Sequence, residues 1–157
     1  MPITVRRAQE RDMDKILTLL GEVLELHAGI RPDLFVPGTT KYTREELLKI
    51  ISDDETPVFV ADNGGDVAGY AFCVIKQPPF STNMTQVKTL YIDDLCVDEN
   101  IRGKHIGTLL FDYVRERAKE LGCQYVTLNV WEGNDSARRF YDKMGMSVRE
   151  TMMEVRL

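Results

Sequence analysis

The chain has 157 residues, 43% of them hydrophobic, and a formal net charge of -5, which suits one ordinary core and leaves no room for a second. An acidic balance without long Lys/Arg runs argues against a nucleic-acid surface, and the apolar runs, short and interrupted by charge, do not approach the length needed to span a bilayer. The start Met1-Pro2-Ile3-Thr4-Val5-Arg6 has no apolar export segment, so a single domain over residues 1–157 working in the cytoplasm is expected.

Ile3 to Arg7 reads as a short strand. Asp12 is placed to cap a helix with an apolar stripe of Met13, Ile16, Leu17, Leu20 and Val23-Leu24, ending near His27. A loop with Pro32, Pro37 and Gly38 follows, and Thr43-Arg44-Glu45-Glu46 is a capping box that opens a second helix through Ile51. Pro57 to Ala61 and Val67 to Lys76 flank the turn signal Asp62-Asn63-Gly64-Gly65, which predicts a hairpin. Beyond a polar loop opened by Pro78 and Pro79, Val87 to Val97 reads as a strand. Ile106 to Leu121 then reads as a helix with Ile106, Leu109, Leu110, Tyr113, Val114 and Ala118 on one face, stopped by Gly122. Cys123 to Trp131 is a β-rich run, Asn134-Asp135-Ser136 caps a short helix ending at Gly145, and Met146 to Leu157 reads as a final strand or half of a hairpin. This order predicts a mixed α/β layer fold in which the strand from Val87 runs parallel to the strand from Cys123. Cys73, Cys96 and Cys123 are odd in number and form no C-x-x-C pair, which suits buried reduced thiols. With only His27 and His105 beside them, no metal-ligand spacing can be assembled, so no metal is expected.

The segment Asp98-Glu99-Asn100-Ile101-Arg102-Gly103-Lys104-His105-Ile106-Gly107-Thr108 joins the strand to the helix with two glycines and two cations at the junction. The first turn of a helix carries N–H groups without intrahelical partners and about half a positive charge, so a phosphate there is both bonded and charge-compensated. A purely structural strand-to-helix turn is the alternative. Neither G-x-x-x-x-G-K-[ST] nor G-x-G-x-x-G occurs, which sets aside kinases, GTPases and nicotinamide enzymes. The segment resembles the Q/R-x-x-G-x-G/A signature of the GNAT superfamily of N-acetyltransferases, carried by Arg102, Gly103, Lys104, His105, Ile106 and Gly107. His105 stands where the first signature glycine would be, and so contributes by its main chain only. The resemblance implies that these residues and Thr108 grip the pyrophosphate of acetyl-CoA.

A second motif follows in the family's order. Asn134-Asp135-Ser136-Ala137-Arg138-Arg139-Phe140-Tyr141-Asp142-Lys143-Met144-Gly145 resembles N-x-x-A-x-x-x-Y-x-x-x-G-F, with Met146 in place of the last Phe. The implied GNAT fold is a central, mostly antiparallel twisted sheet with one splayed parallel strand pair, flanked by helices, whose gap admits the pantetheine arm. Main-chain groups of Leu95, Cys96 and Val97 would contact the pantetheine amides and the acyl carbonyl. Asn129, Asn134 and Ala137 would complete the cofactor side, and Tyr141 would reach the thioester sulfur.

Acetyl transfer to an amine needs an uncharged nucleophile, a polarised carbonyl and a stabilised leaving thiolate. A lysine-like amine with pKa about 10.4 is neutral in only about one part in 2,500 at pH 7, so a base addresses roughly 4.6 kcal/mol of barrier. Candidate bases sit in Tyr91-Ile92-Asp93-Asp94-Leu95, where strand alternation sends Asp93 and Asp94 to opposite faces. The stretch is similar to the L-E-D-L/F-x-V run of spermidine/spermine-type acetyltransferases, which makes Asp93 the first choice, acting directly, through water or by attracting a cationic amine. Phenol to thiolate proton transfer is uphill by about 2 kcal/mol, so Tyr141 would stabilise the leaving group by a hydrogen bond. Cys96 lacks an activating histidine and is read as a buried thiol. Acceptor candidates are His27, Arg31, Asp33 and Asp94, with Arg31 and Asp33 contacting either a substrate or each other. The acidic balance tilts the acceptor toward a cationic small amine or a lysine side chain of a peptide. The expectation is thus an acetyl-CoA-dependent N-acetyltransferase, and a homodimer is possible. The rival reading is an acyl-CoA-binding sensor or interaction module of the same fold.

Overall fold

The computed structural model describes residues 2–79, 82–101 and 103–157. In chain order it contains β1 (Thr4–Arg7), a 3-10 turn (Glu10–Asp12), α1 (Met13–Ile30), α2 (Arg44–Ile51), β2 (Val58–Asn63), β3 (Asp66–Lys76), β4 (Thr89–Val97), α3 (Ile106–Glu120), β5 (Tyr125–Leu128) and α4 (Asp135–Lys143). The five strands lie in sequence order in one sheet, antiparallel except for the parallel pair β4–β5. The mixed α/β architecture expected from the sequence is the one found.

Local chemistry explains most boundaries. Thr43 Oγ1 accepts from the Glu46 N–H at 3.2 Å while Glu46 Oε1 accepts from the Thr43 N–H at 2.9 Å, the reciprocal box that starts α2. Gly64 and Gly65 take φ of +64° and +98°, the two left-handed positions of a tight hairpin turn between Asn63 and Asp66. The helices cover both faces of the sheet. Met13, Ile16, Leu19, Leu20, Leu47 and Ile51 pack with Val58, Val60, Tyr70 and Phe72 on one side. Ile106, Leu110, Phe111, Val114 and Ala118 pack with Phe59, Ala71, Cys73, Leu90 and Ile92 on the other.

Several expectations are corrected. Asp12 caps no helix with its side chain; it accepts from the Gln9 N–H at 2.8 Å and takes a two-pronged ion pair from Arg6 at 2.8 and 3.0 Å. The first helix continues past His27 to Ile30, because Ala28-Gly29-Ile30 stays helical until Arg31 donates its N–H to the His27 carbonyl. The β-rich run from Cys123 forms a strand only over four residues, since its neighbour β4 leaves it after Leu128. Residues 146–157 form no strand ladder and are largely exposed. Leu109, expected on the buried face of α3, is exposed, and Phe111 takes its place in the core.

The correction that matters most lies in β4. Phe72 pairs with Asp94 and Cys73 with Ile92, so Asp93 is an extra residue opposite β3, a β-bulge. Its effect is visible in the packing: Leu90 and Ile92 face the α3 side before the bulge, and Leu95 and Val97 face that same side after it. The alternation slips by one residue. Asp93 and Asp94 therefore both emerge on the α1/α2 face, against the expectation that alternation would separate them.

Beside the bulge, β3 and β4 approach unusually closely. A Cβ on Gly69 would lie 2.7 Å from the Cys96 carbonyl oxygen and 3.1 Å from Leu110 Cδ1. Because the first obstacle is backbone, Gly69→Ala must push β4 or α3 outward. The expected loss is about 2 kcal/mol, read as a fall in Tm of roughly 4–8 °C by thermal unfolding; an unchanged Tm would show that the sheet yields freely here.

Candidate active site

The parallel pair runs from Thr89 opposite Tyr125 to Ile92 opposite Leu128 and stops. Beyond the bulge β4 continues to Val97 with no strand on its β5 side, which leaves main-chain groups of the Asp93–Val97 stretch open along a slot. This is the splayed pair that the resemblance implied.

At the end of β4 the chain is pinned before it turns. The Asp98 N–H donates to the Ala68 carbonyl at 2.8 Å, and the Asp98 carboxylate, 4% exposed, accepts from the Asn100 N–H at 3.0 Å and pairs with Lys15 at 2.7 Å. Lys15 holds Asp98 below the ordinary carboxylate range. The loop then passes through two left-handed residues, Gly103 at φ +75° and His105 at φ +53°, a turn that gathers consecutive N–H groups. Histidine tolerates this region better than most side chains. His105 is the N-cap of α3 and makes no side-chain cap bond. The first bond of α3 runs from the Leu109 N–H to the His105 carbonyl at 3.0 Å, so the N–H groups of Ile106, Gly107 and Thr108 have no intrahelical acceptor. A cavity of about 410 Å³ opens here, lined by Val97, Gly103, Lys104, His105 and Ile106 and reaching Ser136 of α4. Arg102, expected among the cofactor contacts, lies outside the described residues.

Gly107 lets α4 close on α3, since a Cβ there would lie 3.3 Å from the Phe140 ring. Asn134 spends its side-chain oxygen on the cap of α4, accepting from the Ala137 N–H at 3.3 Å. Asn129 Nδ2 donates to Tyr91 Oη at 3.0 Å and ties the end of β5 back to β4.

The bulge assembles the polar floor. Tyr70 Oη, on a fully buried ring, donates to Asp94 Oδ2 at 2.7 Å. Asp94 is crowded by protein on most sides yet still open to water at the slot; burial raises its pKa to about 6 against the opposing hydrogen bond from Tyr70. Cys96 stands beside it with a thiol pushed up to about 12, by burial first and then by Asp94, which leaves it protonated and inert as a nucleophile. Tyr141 comes in from α4 against Phe140 and Phe111. Burial, followed by the fields of Asp94 and Cys96, pushes its phenol well above the ordinary value, so it is a donor throughout the working pH range.

Asp93 turns toward the α1–α2 loop, where Lys41 Nζ donates to its Oδ2 at 2.6 Å and Tyr42 Oη lies at 3.4 Å from the same oxygen. Tyr42 stacks on Phe72, which meets Tyr70 edge-on. Burial opposes the charge on Lys41, but Asp93 outweighs it and raises the ammonium's pKa. His27 lies in the field of Lys41 and is lowered, by burial first, so that it is neutral near pH 7. It tilts against Phe35, which meets Trp131 edge-on, and these rings join the end of α1 to the loop after β5. Arg31 bonds Asp33 at 2.7 and 2.9 Å and lies over Trp131 at 5.9 Å, so of the two contacts open to this pair the structure holds the mutual one.

His27, Asp93 and Asp94 are thus brought to one mouth, with Lys41, Tyr42, Tyr70 and Trp131 as members that the sequence reading missed. The acidic mouth expected from composition is partly neutralised, because Asp93 and Asp33 each have a cation. Among the described residues no group of His, Cys, Asp and Glu is placed to hold a metal ion, and no helix is long and apolar enough to cross a membrane.

Comparison with known proteins agrees with this fold. An N-acetyltransferase of unassigned substrate from Methanocaldococcus jannaschii, MJ1207, is 27% identical over 149 residues, covering 95% of this chain; the chain spans only 62% of that relative's length. The thialysine N-epsilon-acetyltransferase of Bos taurus is 27% identical over 153 residues, covering 91% of this chain and 83% of the relative. The crystal structure of a point mutant of the BH1408 protein from Bacillus halodurans superposes with a TM-score of 0.93 at 30% identity, covering 98% of this chain and 99% of that one. The model of the acetyltransferase (GNAT) family matches residues 22–146, from the middle of α1 through the loop, the slot and α4. The chain belongs to the GNAT family of acetyltransferases.

Proposed function

We propose that this protein transfers the acetyl group of acetyl-CoA to a primary amine by direct attack within one ternary complex. The observation that carries the reading is that β4 parts from β5 after Ile92, with the buried Tyr141 of α4 in the electrostatic field of Asp94 and Cys96 and a cavity opening at the start of α3. The residues present suit the cofactor. N–H groups without intrahelical acceptors at the start of α3 suit a diphosphate, and the stretch of β4 beyond its ladder with β5 suits amide groups of a pantetheine arm.

When bound, acetyl-CoA supplies the activated acyl group. In this reading the chain's own residues do the rest. Residues 103–108, together with Arg102, hold the diphosphate, and Leu95 to Val97 align the arm. Tyr141, kept protonated by its surroundings, donates a hydrogen bond to the departing sulfur. Asp94 accepts the proton of the incoming ammonium, directly or through Tyr70 and water. Raising a carboxyl from 3.8 to about 6 lowers the uphill cost of that transfer by roughly 3 kcal/mol. Asp93, the first choice from the sequence, is proposed as the docking carboxylate. It already holds a primary ammonium, that of Lys41, which supports its capacity to hold an acceptor's. The pairing of carboxylates with Lys41 and Arg31 favours an acceptor that carries an anionic group beside its amine. The thialysine named for the bovine relative is of that kind.

Isothermal titration with acetyl-CoA should give saturable binding, and release of CoA thiol should follow on adding a panel of amino acids and polyamines. Failure to bind removes the proposal, while binding without thiol release from any amine favours the sensor reading. Tyr141→Phe should lower kcat on the order of tenfold to a hundredfold with CoA affinity almost unchanged; an equal rate would deny its place at the sulfur.

Asp94→Asn should abolish the acidic limb of the kcat/KM profile, which in the parent protein rises as Asp94 ionises through about pH 6. The stability sign is opposite. With a folded pKa above the unfolded one, the contribution of Asp94 is full below about pH 3.8 and is lost as pH rises through about 6. The Asn variant should therefore be more stable than the parent at pH 8, by at most about 3 kcal/mol, with the gap closing below pH 4, read by thermal unfolding at the two pH values.

A further inference from the structure

Two cations of the α1–α2 connection, Arg31 and Lys41, are paired with carboxylates, and the two pairings differ in what they leave open. Asp33 takes the Nε and one terminal nitrogen of Arg31, and Glu154 takes both terminal nitrogens. Every nitrogen of that guanidinium and all four carboxylate oxygens are thus engaged. At the second pair Lys41 Nζ donates once, to Asp93 Oδ2 at 2.6 Å, and the Tyr42 hydroxyl approaches that same oxygen at 3.4 Å. Among the described residues, Asp93 Oδ1 accepts no bond and two of the three ammonium N–H groups of Lys41 have no acceptor. The pair is reachable: its side chains are 46% and 26% exposed.

Both members are held in place from behind. The loop before Lys41 is pinned by the Gly38 N–H on Glu25 Oε1 at 2.6 Å and by the Thr40 hydroxyl on the Tyr42 carbonyl at 3.1 Å. The capping box at Thr43 fixes the chain beyond it, and Tyr42 is stacked on Phe72. Asp93 is set by the bulge in β4. A positive and a negative group therefore stand side by side with open bonding positions, at little further cost in ordering.

We propose that Lys41 and Asp93 together are a receptor for the zwitterionic head of an amino acid, with Lys41 as the specificity-determining residue. Lys41 Nζ donates to the head's carboxylate and Asp93 Oδ1 accepts from its ammonium, while the reacting amine is a second one at the end of the side chain, beside Asp94. The inference rests on the acetyl-transfer reading of this mouth. Four alternating charges then close a ring without adding net charge, and each new hydrogen bond is charge-assisted. A plain diamine brings two positive charges to a carboxylate that already holds one, and leaves the ammonium of Lys41 facing like charge. Because the bulge turns Asp94 to the same face as Asp93, a flexible chain can run from the head to the second carboxylate. The transfer itself is unchanged: the amide C–N bond forms as the thioester C–S bond breaks, the electron pair leaves on sulfur, and the amine's proton passes to Asp94.

The test is isothermal titration of the full chain, saturated with CoA, against L-lysine and L-ornithine and against cadaverine and putrescine, which differ from them only by the lost carboxylate. Each amino acid should bind on the order of tenfold more tightly than its decarboxylated twin, and L-lysinamide should bind like cadaverine. Lys41→Met should erase the difference and Lys41→Arg should retain most of it, with the same ratios in kcat/KM from release of CoA thiol. Equal binding of lysine and cadaverine, no binding of either amino acid, or a preference that survives Lys41→Met overturns the receptor. Lysine binding that depends on Lys41 without thiol release supports the receptor and removes the acetyl-transfer reading. Turnover of amines without a carboxylate preference keeps that reading and overturns the receptor. An unaltered Tm in the Lys41 variants separates lost recognition from lost folding.

Discussion

One extra residue in β4 governs the working end of this molecule. Without the bulge at Asp93, the strand would stay in phase, one carboxylate would face α3, and the pairing with β5 would have no cause to stop at Ile92. With it, two carboxylates share a face, the parallel pair parts, and unpaired main chain is exposed beside a buried phenol. The bulge is held from both sides: Gly69 admits the Cys96 carbonyl at a distance no side chain would allow, and the Phe72 ring carries Tyr42 over the displaced Asp93. Structure and chemistry here are one arrangement.

Within that arrangement the protons are coupled. Asp94 charges reluctantly because it is crowded, and burial first, with the Asp94 charge second, keeps Cys96 and Tyr141 protonated. The two carboxylates are also told apart by their neighbours. Asp93 has the Lys41 ammonium, whereas the donor at Asp94 is the neutral phenol of Tyr70. Side chains one residue apart thus meet opposite electrostatic surroundings, a common basis for dividing a binding role from a proton-accepting one.

Much of this was legible in the sequence wherever a signal is local. The Thr43 box, the Gly64-Gly65 turn, the stop at Gly122 and the loop before α3 are short-range stereochemistry, and all form where residue types demand them. The illegible features depend on a partner distant in sequence. No pattern within Tyr91 to Val97 announces a bulge, which exists only relative to β3. Lys41 and Tyr42 sit in a polar loop without periodicity and gain meaning only when α2 folds them over Phe72. Tyr70 sits within the predicted strand and is fully buried, but its hydroxyl needed Asp94 to become part of a site. Asp12 carried a good capping signal and was captured instead by Arg6, a tertiary ion pair prevailing over a local cap.

The asymmetry of the slot follows from its two walls. The β4 wall is braced by a full antiparallel ladder to β3 and by the close contact at Gly69, so it is rigid by construction. The opposite wall is the end of a four-residue edge strand and the loop carrying Trp131, secured by an amide-to-phenol bond, an aromatic edge contact, the guanidinium of Arg31 over the Trp131 ring and the turn bond from the Asn134 N–H to the Trp131 carbonyl. Any breathing that widens the crevice must be borne by that lighter flank, the stretch from Asn129 to Asn134, while the ladder between β3 and β4 stays fixed.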